Sequence, residues 1–436
     1  MEKNFVSFIT CFKDKNERTF YDLSILYEDI DLLENLIMQL WTSEFCQSMS
    51  GKNILLKPNL VKQCVSDDEH FCLHTHLNLI IATLRIILRQ SVKRIIIGDS
   101  PIQGANWANV LPKHWVEQVN ALSKEYDTPV LIKDFRRRIF SSGKVQQDLH
   151  PMEDYVILDV GKQSYLEQIT SSGKKFRIGG YDYKHLTEMH QPGIHKFVIV
   201  KDVFDADIII SMPKIKTHAK TGFTGALKNI VGTVGDKDCL PHHRVGSLEN
   251  NGDCYPMQNV FRTLGESILD LSAKWQNMWI LKKISSVFWR LSLPSRLDTR
   301  TASWYGNDTC WRMVMDLNTA LIYGRKDGSL SPTPQRVLYS LCDGVIAGQG
   351  NGPLSPEPLP LGILSFTNNS ALNDVCMAML MRLDSQKIPL LKAAFETVSW
   401  QHSSIILNGQ TISLQELFGY STQTKPAEGW LGHIEL

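Results

Sequence analysis

From Ser211 to Arg244 the sequence gathers lysine, histidine, threonine and glycine into one stretch. It reads Ser-Met-Pro-Lys-Ile-Lys-Thr-His-Ala-Lys-Thr-Gly-Phe-Thr-Gly-Ala-Leu-Lys-Asn as far as Asn229, then reaches Pro241-His242-His243-Arg244. Lys214, Lys216, Lys220, Lys228, Lys237 and Arg244 face only Asp236 and Asp238, so six cations against two acids leave a local excess of four. Ammonium groups, glycines that admit close backbone approach and the positive end of a helix all favour an anion. Lys214, Lys216 and Lys228 are expected to neutralise a phosphate or carboxylate, with Gly222 and Gly225 cradling it. Thr221, Asn229 and Arg244 are further candidates for substrate contact, and His218 or His243 is suited to move a proton near neutral pH. The pattern is neither GxGxxG nor a Walker loop, and the bland alternative is a solvated lysine face with glycines in turns.

Two other clusters could do chemistry. Asn307, Asp308, Thr309, Arg312 and Asp316 fall within ten residues. Asp308 or Asp316 could serve as a carboxylate base or cation ligand, with Asn307 and Arg312 contacting substrate. Alternatively Arg312 and Asp316, one helical turn apart, simply pair. His70, Cys72, His74 and His76 alternate, which would put them on one side of an extended segment as metal ligands. Their spacing matches no zinc pattern, and Asp67-Asp68-Glu69 suggests an exposed loop.

The elements that must position these groups read as α/β. Asn53–Asn59 is an apolar run stopped by Pro58; Thr75 is placed to cap a helix over 76–90; Arg94–Ser100 is a second strand. Strand, helix, strand makes a βαβ unit with a right-handed crossover and a largely parallel sheet. Further strands are expected at 130–133, 155–159, 197–201 and 207–211, and a helix over 223–231. Ligands collect at the carboxyl ends of such strands, so Lys57 with Asn59, Asp99 with Ser100, and Lys214–His218 are expected around one crevice. Residues 261–293 read as one Trp-rich basic amphipathic helix, either packed on its own domain or lying on a membrane surface. A strand at 337–346, a glycine loop at 348–353, a strand at 361–366 and a helix over 371–383 capped by Asn369 or Ser370 complete the reading. The expected organisation is an α/β domain at 1–260, the helical insertion and linker at 261–300, and a second α/β part at 301–436 that completes the site.

Composition narrows the function. The 436 residues carry 46 Lys plus Arg against 45 Asp plus Glu, so the basic excess that a nucleic-acid partner requires is missing. The nine cysteines are scattered without a CxxC, as in a cytoplasmic protein with reduced thiols. The N-terminal apolar run, Phe5–Phe12, is too short and polar for a signal peptide, and no stretch approaches the roughly 20 apolar residues of a transmembrane helix.

Several phrases together resemble the domain-of-unknown-function family 362 (DUF362). They are Leu56-Lys57-Pro58-Asn59-Leu60-Val61, Ile97-Gly98-Asp99-Ser100, Pro213 through Gly232, His242-His243-Arg244-Val-Gly246, Gly306-Asn307-Asp308-Thr309, Asp316-Leu317-Asn318 and Asp343-Gly344 leading to Gly350-Asn351-Gly352-Pro353. Some relatives carry an iron–sulfur module, whose cysteine spacing is lacking here, so no iron–sulfur cluster is expected. The resemblance implies that Lys214, Lys216, His218, Lys228, Asn229 and His243 belong to the site. The expectation is a cytoplasmic enzyme of unassigned reaction acting on a small anionic metabolite, such as a phosphate- or carboxylate-bearing sugar or nucleotide. The alternatives are a protein that binds a divalent metal or works in redox chemistry, and a non-catalytic scaffold docked on a membrane through 261–293. Oligomeric state stays open.

Overall fold

The computed structural model describes residues 4–436 except 14–16, 67, 142–143, 172, 174, 179–182, 275–277 and 293–301. A 12-stranded, largely parallel sheet forms its centre, with the path Gln410–Thr411, Ser403–Leu407, Asn4–Thr10, Ile363–Thr367, Leu338–Asn351, Ile208–Met212, Asn53–Pro58, Arg94–Asp99, Val130–Asp134. Asn53–Pro58 runs parallel to both Arg94–Asp99 and Ile208–Met212, and the latter runs parallel to Leu338–Asn351. Ile363–Thr367 is antiparallel to both of its neighbours.

The apolar runs are continuous because both faces of the sheet are covered. Ile54 and Leu56 point into one core with Ile80, Ile81 and Leu84 of helix Leu77–Leu88. Leu55 points into the opposite core with Phe197, Phe223 and Leu227, as the two-residue period of a strand demands. Strands from both ends of the chain share the sheet, since Leu338–Asn351 is inserted between Ile208–Met212 and Ile363–Thr367.

Several expectations change. His76, not Thr75, caps helix Leu77–Leu88, its Nδ1 accepting from the Asn78 N–H. The Thr75 hydroxyl instead donates to the Met212 carbonyl and accepts from the Asn59 N–H, tying two strand ends together. Residues 223–231 do not form one helix. Gly222–Thr224 is a short strand, helix Ala226–Asn229 follows, and Ile230–Thr233 is a 3₁₀ turn. Tyr155–Asp159 and Ile194–Val200 pair antiparallel in a separate small sheet. The expected glycine loop is largely strand: Leu338–Asn351 extends through Gly348 and Gly350 and pairs with Ser355–Leu359. In place of one helix over 261–293 there are two packed helices, Val260–Lys274 and Trp279–Leu291, while residues 275–277 and 293 and the expected linker at 294–300 lie outside the described residues. Asn369 does cap Ser370–Leu380.

Candidate functional site

The chain leaves strand Asn53–Pro58 toward Arg94–Asp99 and Val130–Asp134 on one side, then returns to Ile208–Met212 on the other. This reversal is a topological switch point, where carboxyl ends of neighbouring strands diverge and leave a crevice. A cavity of about 400 Å³ opens there, lined by Lys57 and Asn59 at the end of one strand and by Asp99 and Ser100 at the end of the next. The third side comes from strand Lys214–His218, whose two-residue period turns Lys216 and His218 to the same face. Lys220, Lys228, Lys237 and His242 complete the polar lining. Five lysines therefore meet the carboxylate of Asp99, the only acid on the wall among the described residues.

That carboxylate is already engaged. Lys57 Nζ lies 2.6 Å from Asp99 Oδ1, both side chains buried, and Asp99 also accepts from the N–H groups of Leu60 and Ser100. Gly232 is required beside this pair, because a Cβ there would stand 1.8 Å from Asp99 Oδ1. Asn229 links the floor together, donating to the Lys57 carbonyl at 3.0 Å and the Ser211 hydroxyl at 2.8 Å.

The remaining cations stay without a carboxylate partner among the described residues. Lys216 Nζ donates to Asn59 Oδ1 at 2.8 Å and to the Leu73 carbonyl, both neutral acceptors. Burial, and then the neighbouring Lys214, push its pKa down to about 7. Burial does the same to Lys237, also to about 7, despite the attraction of Asp99. Burial lowers Lys220 and Lys228 as well. The buried Ser100 Oγ has no hydrogen-bond partner among the described residues and lines the same space.

The two histidines of the cavity are fixed in complementary tautomers. His218 Nδ1 accepts from the N–H groups of Lys220 at 3.0 Å and Thr221 at 3.3 Å, so Nε2 carries the ring proton. His242 Nδ1 lies 2.8 Å from the Leu240 carbonyl and donates to it, which leaves Nε2 as an acceptor. Burial, followed by the nearby lysines, holds both rings neutral: His218 falls well below the usual range and His242 to about 3. One imidazole donor and one imidazole acceptor thus face the same cationic space. Apolar groups, among them Leu60, Val61, Ile102 and Leu354, make up much of the remaining wall.

Other residues singled out in the sequence lie elsewhere. Lys214 is fully buried behind the cavity, 2.7 Å from Asp343 Oδ2 and 3.2 Å from the Tyr27 hydroxyl. The helix beginning at Ala226 offers no free N-terminus, because Asp374 accepts from the N–H groups of Ala226 at 2.7 Å and Leu227 at 2.8 Å. Gly222 packs against Trp430 and Gly225 against Asp374, so both glycines serve close packing. The Thr221 hydroxyl is turned to the Phe223 carbonyl. His243 is buried in a two-residue strand paired to Arg177, outside the cavity lining.

The 307–316 cluster touches the site from behind. Asn307 donates to the His242 carbonyl at 2.9 Å while its Oδ1 accepts from the N–H groups of Thr309 and Cys310. Arg244 lies 3.5 Å from Asp308 and 3.5 Å from Asp253. Arg312 pairs with Asp308, not with Asp316. Asp316 accepts from Ser164 and from the Tyr165 N–H, and burial lifts it to about 7.

The extended segment expected to carry His70, Cys72, His74 and His76 is interrupted. Glu69–Cys72 is a helical turn, not an extended segment. His74 Nε2 is bonded to the Lys62 carbonyl at 2.7 Å and His76 stacks on Tyr27, while the Cys72 thiol donates to Pro356. No group of three or more His, Cys, Asp or Glu side chains suited to a metal occurs among the described residues.

Residues 54–379, most of the chain, match the family described as a domain of unknown function, DUF362. No curated protein matches. Among solved structures, a protein of Thermotoga maritima is 10% identical at a TM-score of 0.36, covering 85% of this chain and 59% of its own. The lactate racemase apoprotein of Thermoanaerobacterium thermosaccharolyticum is 12% identical at a TM-score of 0.36, covering 81% of this chain and 56% of its own. The chain thus spans less than two thirds of either structure.

Proposed function

The chain belongs to the DUF362 family, and we propose that it is an enzyme acting on a small anionic metabolite bound in the cavity at the strand ends. One observation carries the reading: Lys57, Lys216, Lys220, Lys228 and Lys237 converge on a space whose only carboxylate among the described residues, Asp99, is already paired. Buried cations such as Lys216 and Lys237 are costly without a counter-charge, and a phosphate or carboxylate supplies that charge. The apolar part of the wall suits a ligand with a hydrophobic portion opposite its charge.

In this reading Lys220 and Lys228 hold the anion and Ser100 Oγ donates to it. His218 Nε2–H donates to an oxygen on which negative charge develops, and donors fixed in advance around such an oxygen are a large source of rate acceleration. Lys216, with its pKa near 7, exchanges a proton with the substrate at neutral pH. Asn307 supports the backbone that presents His242, and Asp308, held by Arg312, faces Arg244 two residues on.

The test is a thermal-shift screen of phosphate- and carboxylate-bearing metabolites against the native protein and Lys228→Gln, with hits followed by NMR for turnover. Stabilisation by one chemical class, lost in Lys228→Gln, supports the reading. Stabilisation that is equal in both proteins sinks the assignment of this cavity. A bound but unchanged ligand removes the enzyme and leaves a binding protein.

A further inference from the structure

Helices Val260–Lys274 and Trp279–Leu291 pack side by side with their small residues facing each other. The Ser285 hydroxyl donates to the Gly265 carbonyl at 2.7 Å, Ser272 donates to the Met278 carbonyl at 3.1 Å, and both serines are buried. A Cβ on Gly265 would stand 3.0 Å from Trp289, so the contact depends on glycine. The large apolar residues point the other way. Ile280, Ile284, Val287 and Leu291 recur at i, i+4, i+7 and i+11, one stripe of a helix, and are 39% to 53% exposed. Phe261, Leu264 and Leu271 form a matching stripe on the first helix, at 40% to 43% exposed.

An ordinary surface helix hides its apolar stripe and shows its polar one, and this pair does the opposite. Small residues between helices and large apolar ones outside is how helices pack when lipid surrounds them. Helices of 15 and 13 residues reach only about 20 Å, too short to cross a bilayer. The charge is one-sided as well. Trp279–Leu291 contains no Asp or Glu, and its Lys283 and Arg290 are exposed, with Lys283 Nζ 4.6 Å from the Trp279 ring centre. On the first helix, Glu266 accepts from the Tyr255 hydroxyl and Asp270 pairs with Arg177.

We propose that this helix pair docks on the surface of a membrane containing anionic phospholipids, with the two apolar stripes in the acyl boundary and Lys283 and Arg290 among the headgroups. A second copy of the chain suits the face less well, because a two-fold contact would bring like cations together with no exposed acid on Trp279–Leu291 to meet them. Arg177 holds Asp270 of the pair, and its neighbour Ile178 lines the cavity, so docking sets one cavity wall close to the lipid.

Sedimentation of the full chain with vesicles tests this. Binding is expected to vesicles of equal parts phosphatidylcholine and phosphatidylglycerol and to be weak on phosphatidylcholine alone. Lys283→Gln with Arg290→Gln should weaken it roughly 25-fold, about fivefold for each cation near an anionic surface. Ile284→Asp with Val287→Asp should abolish it while the melting temperature is retained, since both positions are exposed. Equal binding to both vesicle types, binding unaffected by Ile284→Asp with Val287→Asp, or no binding at all would overturn the proposal. So would light scattering that shows a dimer which those substitutions dissociate without any vesicle binding. None of these readouts depends on the ligand of the cavity.

Discussion

Lys57 and Asp99, at the ends of adjacent parallel strands, are joined by a buried ion pair of 2.6 Å that forms the floor of the cavity. The pair is reached only because residue 232 has no side chain: a Cβ there would stand 1.8 Å from Asp99 Oδ1 and 2.5 Å from Lys57 Nζ. The closeness ties the loop after helix Ala226–Asn229 to the sheet and leaves, among the described residues, one anionic group facing five cations.

Breaking this pair should cost more than an ordinary surface substitution. Asp99→Asn leaves the Lys57 ammonium buried with only neutral acceptors, at a cost of about 3–5 kcal/mol. Gly232→Ala pushes the two charges apart and should cost about 1–3 kcal/mol, as overpacking does. Denaturant unfolding of both variants decides it; a loss under 0.5 kcal/mol for Asp99→Asn would show that the pair does not hold the floor.

The lysines at 214 and 228 should separate stability from binding. Lys214 lies between Asp343 and Tyr27 with its side chain inaccessible, so Lys214→Met removes the partner of a buried carboxylate and should cost about 3 kcal/mol. Lys228 is half-buried on the cavity wall, so Lys228→Gln should leave stability within about 0.5 kcal/mol. It should weaken an anionic ligand by about 1.5–3 kcal/mol, roughly ten- to a hundredfold in Kd. Melting curves with and without ligand report both quantities, and the opposite pattern would move the site to Lys214.

The contrast between these lysines shows where sequence reading stops. Runs such as Ile54–Leu56, Ile95–Ile97 and Ile208–Ile210 are visible because a strand buried on both faces must be apolar throughout. The strand-end rule then brought Lys57, Asn59, Asp99, Ser100 and Lys216 to one crevice. Which cation has a carboxylate beside it is decided by partners distant in the chain. Lys214 meets Asp343, and the helix N-terminus at Ala226 meets Asp374, across turns that local patterns do not specify. Arg312 had two acids at equal spacing along a helix; burial behind Ser164 and Tyr165 took Asp316 and left Asp308. The sequence pointed to His243, but the short strand at His243–Arg244 turns that ring away and leaves His242 in the cavity lining. The helix at 261–293 was legible by its period, but its division and the inward turn of its small residues depend on the helix pair.

Asp374 offers a direct check on the anion at that helix start. Its two oxygens accept from Ala226 and Leu227, and Asn373 donates to Oδ1 at 3.1 Å. Asp374→Asn places an amide NH₂ against one of these N–H donors and should cost about 1–3 kcal/mol. If the helix start were instead a ligand site, the neutral variant would leave stability intact and strengthen anion binding; a titration of Asp374→Asn with the screened anion distinguishes the two outcomes.

The last prediction concerns protons. Lys216 and Lys237 have pKa values pressed to about 7 by burial, against 10.5 for a free lysine. Above pH 7 the folded, ligand-free protein therefore binds fewer protons at these two positions than the unfolded chain. Their contribution to stability accordingly rises with pH from about 7 and is unfavourable below it. Asp316 and Asp374, raised from 3.8 to about 7 by burial, act with the opposite sign: their contribution falls as pH climbs toward 7 and stays unfavourable above it. Anion binding should reverse the lysine shift, because a negative ligand favours the ammonium forms. Calorimetry near pH 7.5–8 in buffers of different ionisation enthalpy should then show up to about two protons taken up per anion bound, and affinity falling as pH rises. Lys237→Met, which removes one of the two groups, should lower the uptake by about one proton. Binding with no proton uptake would mean that the anion does not sit among these lysines.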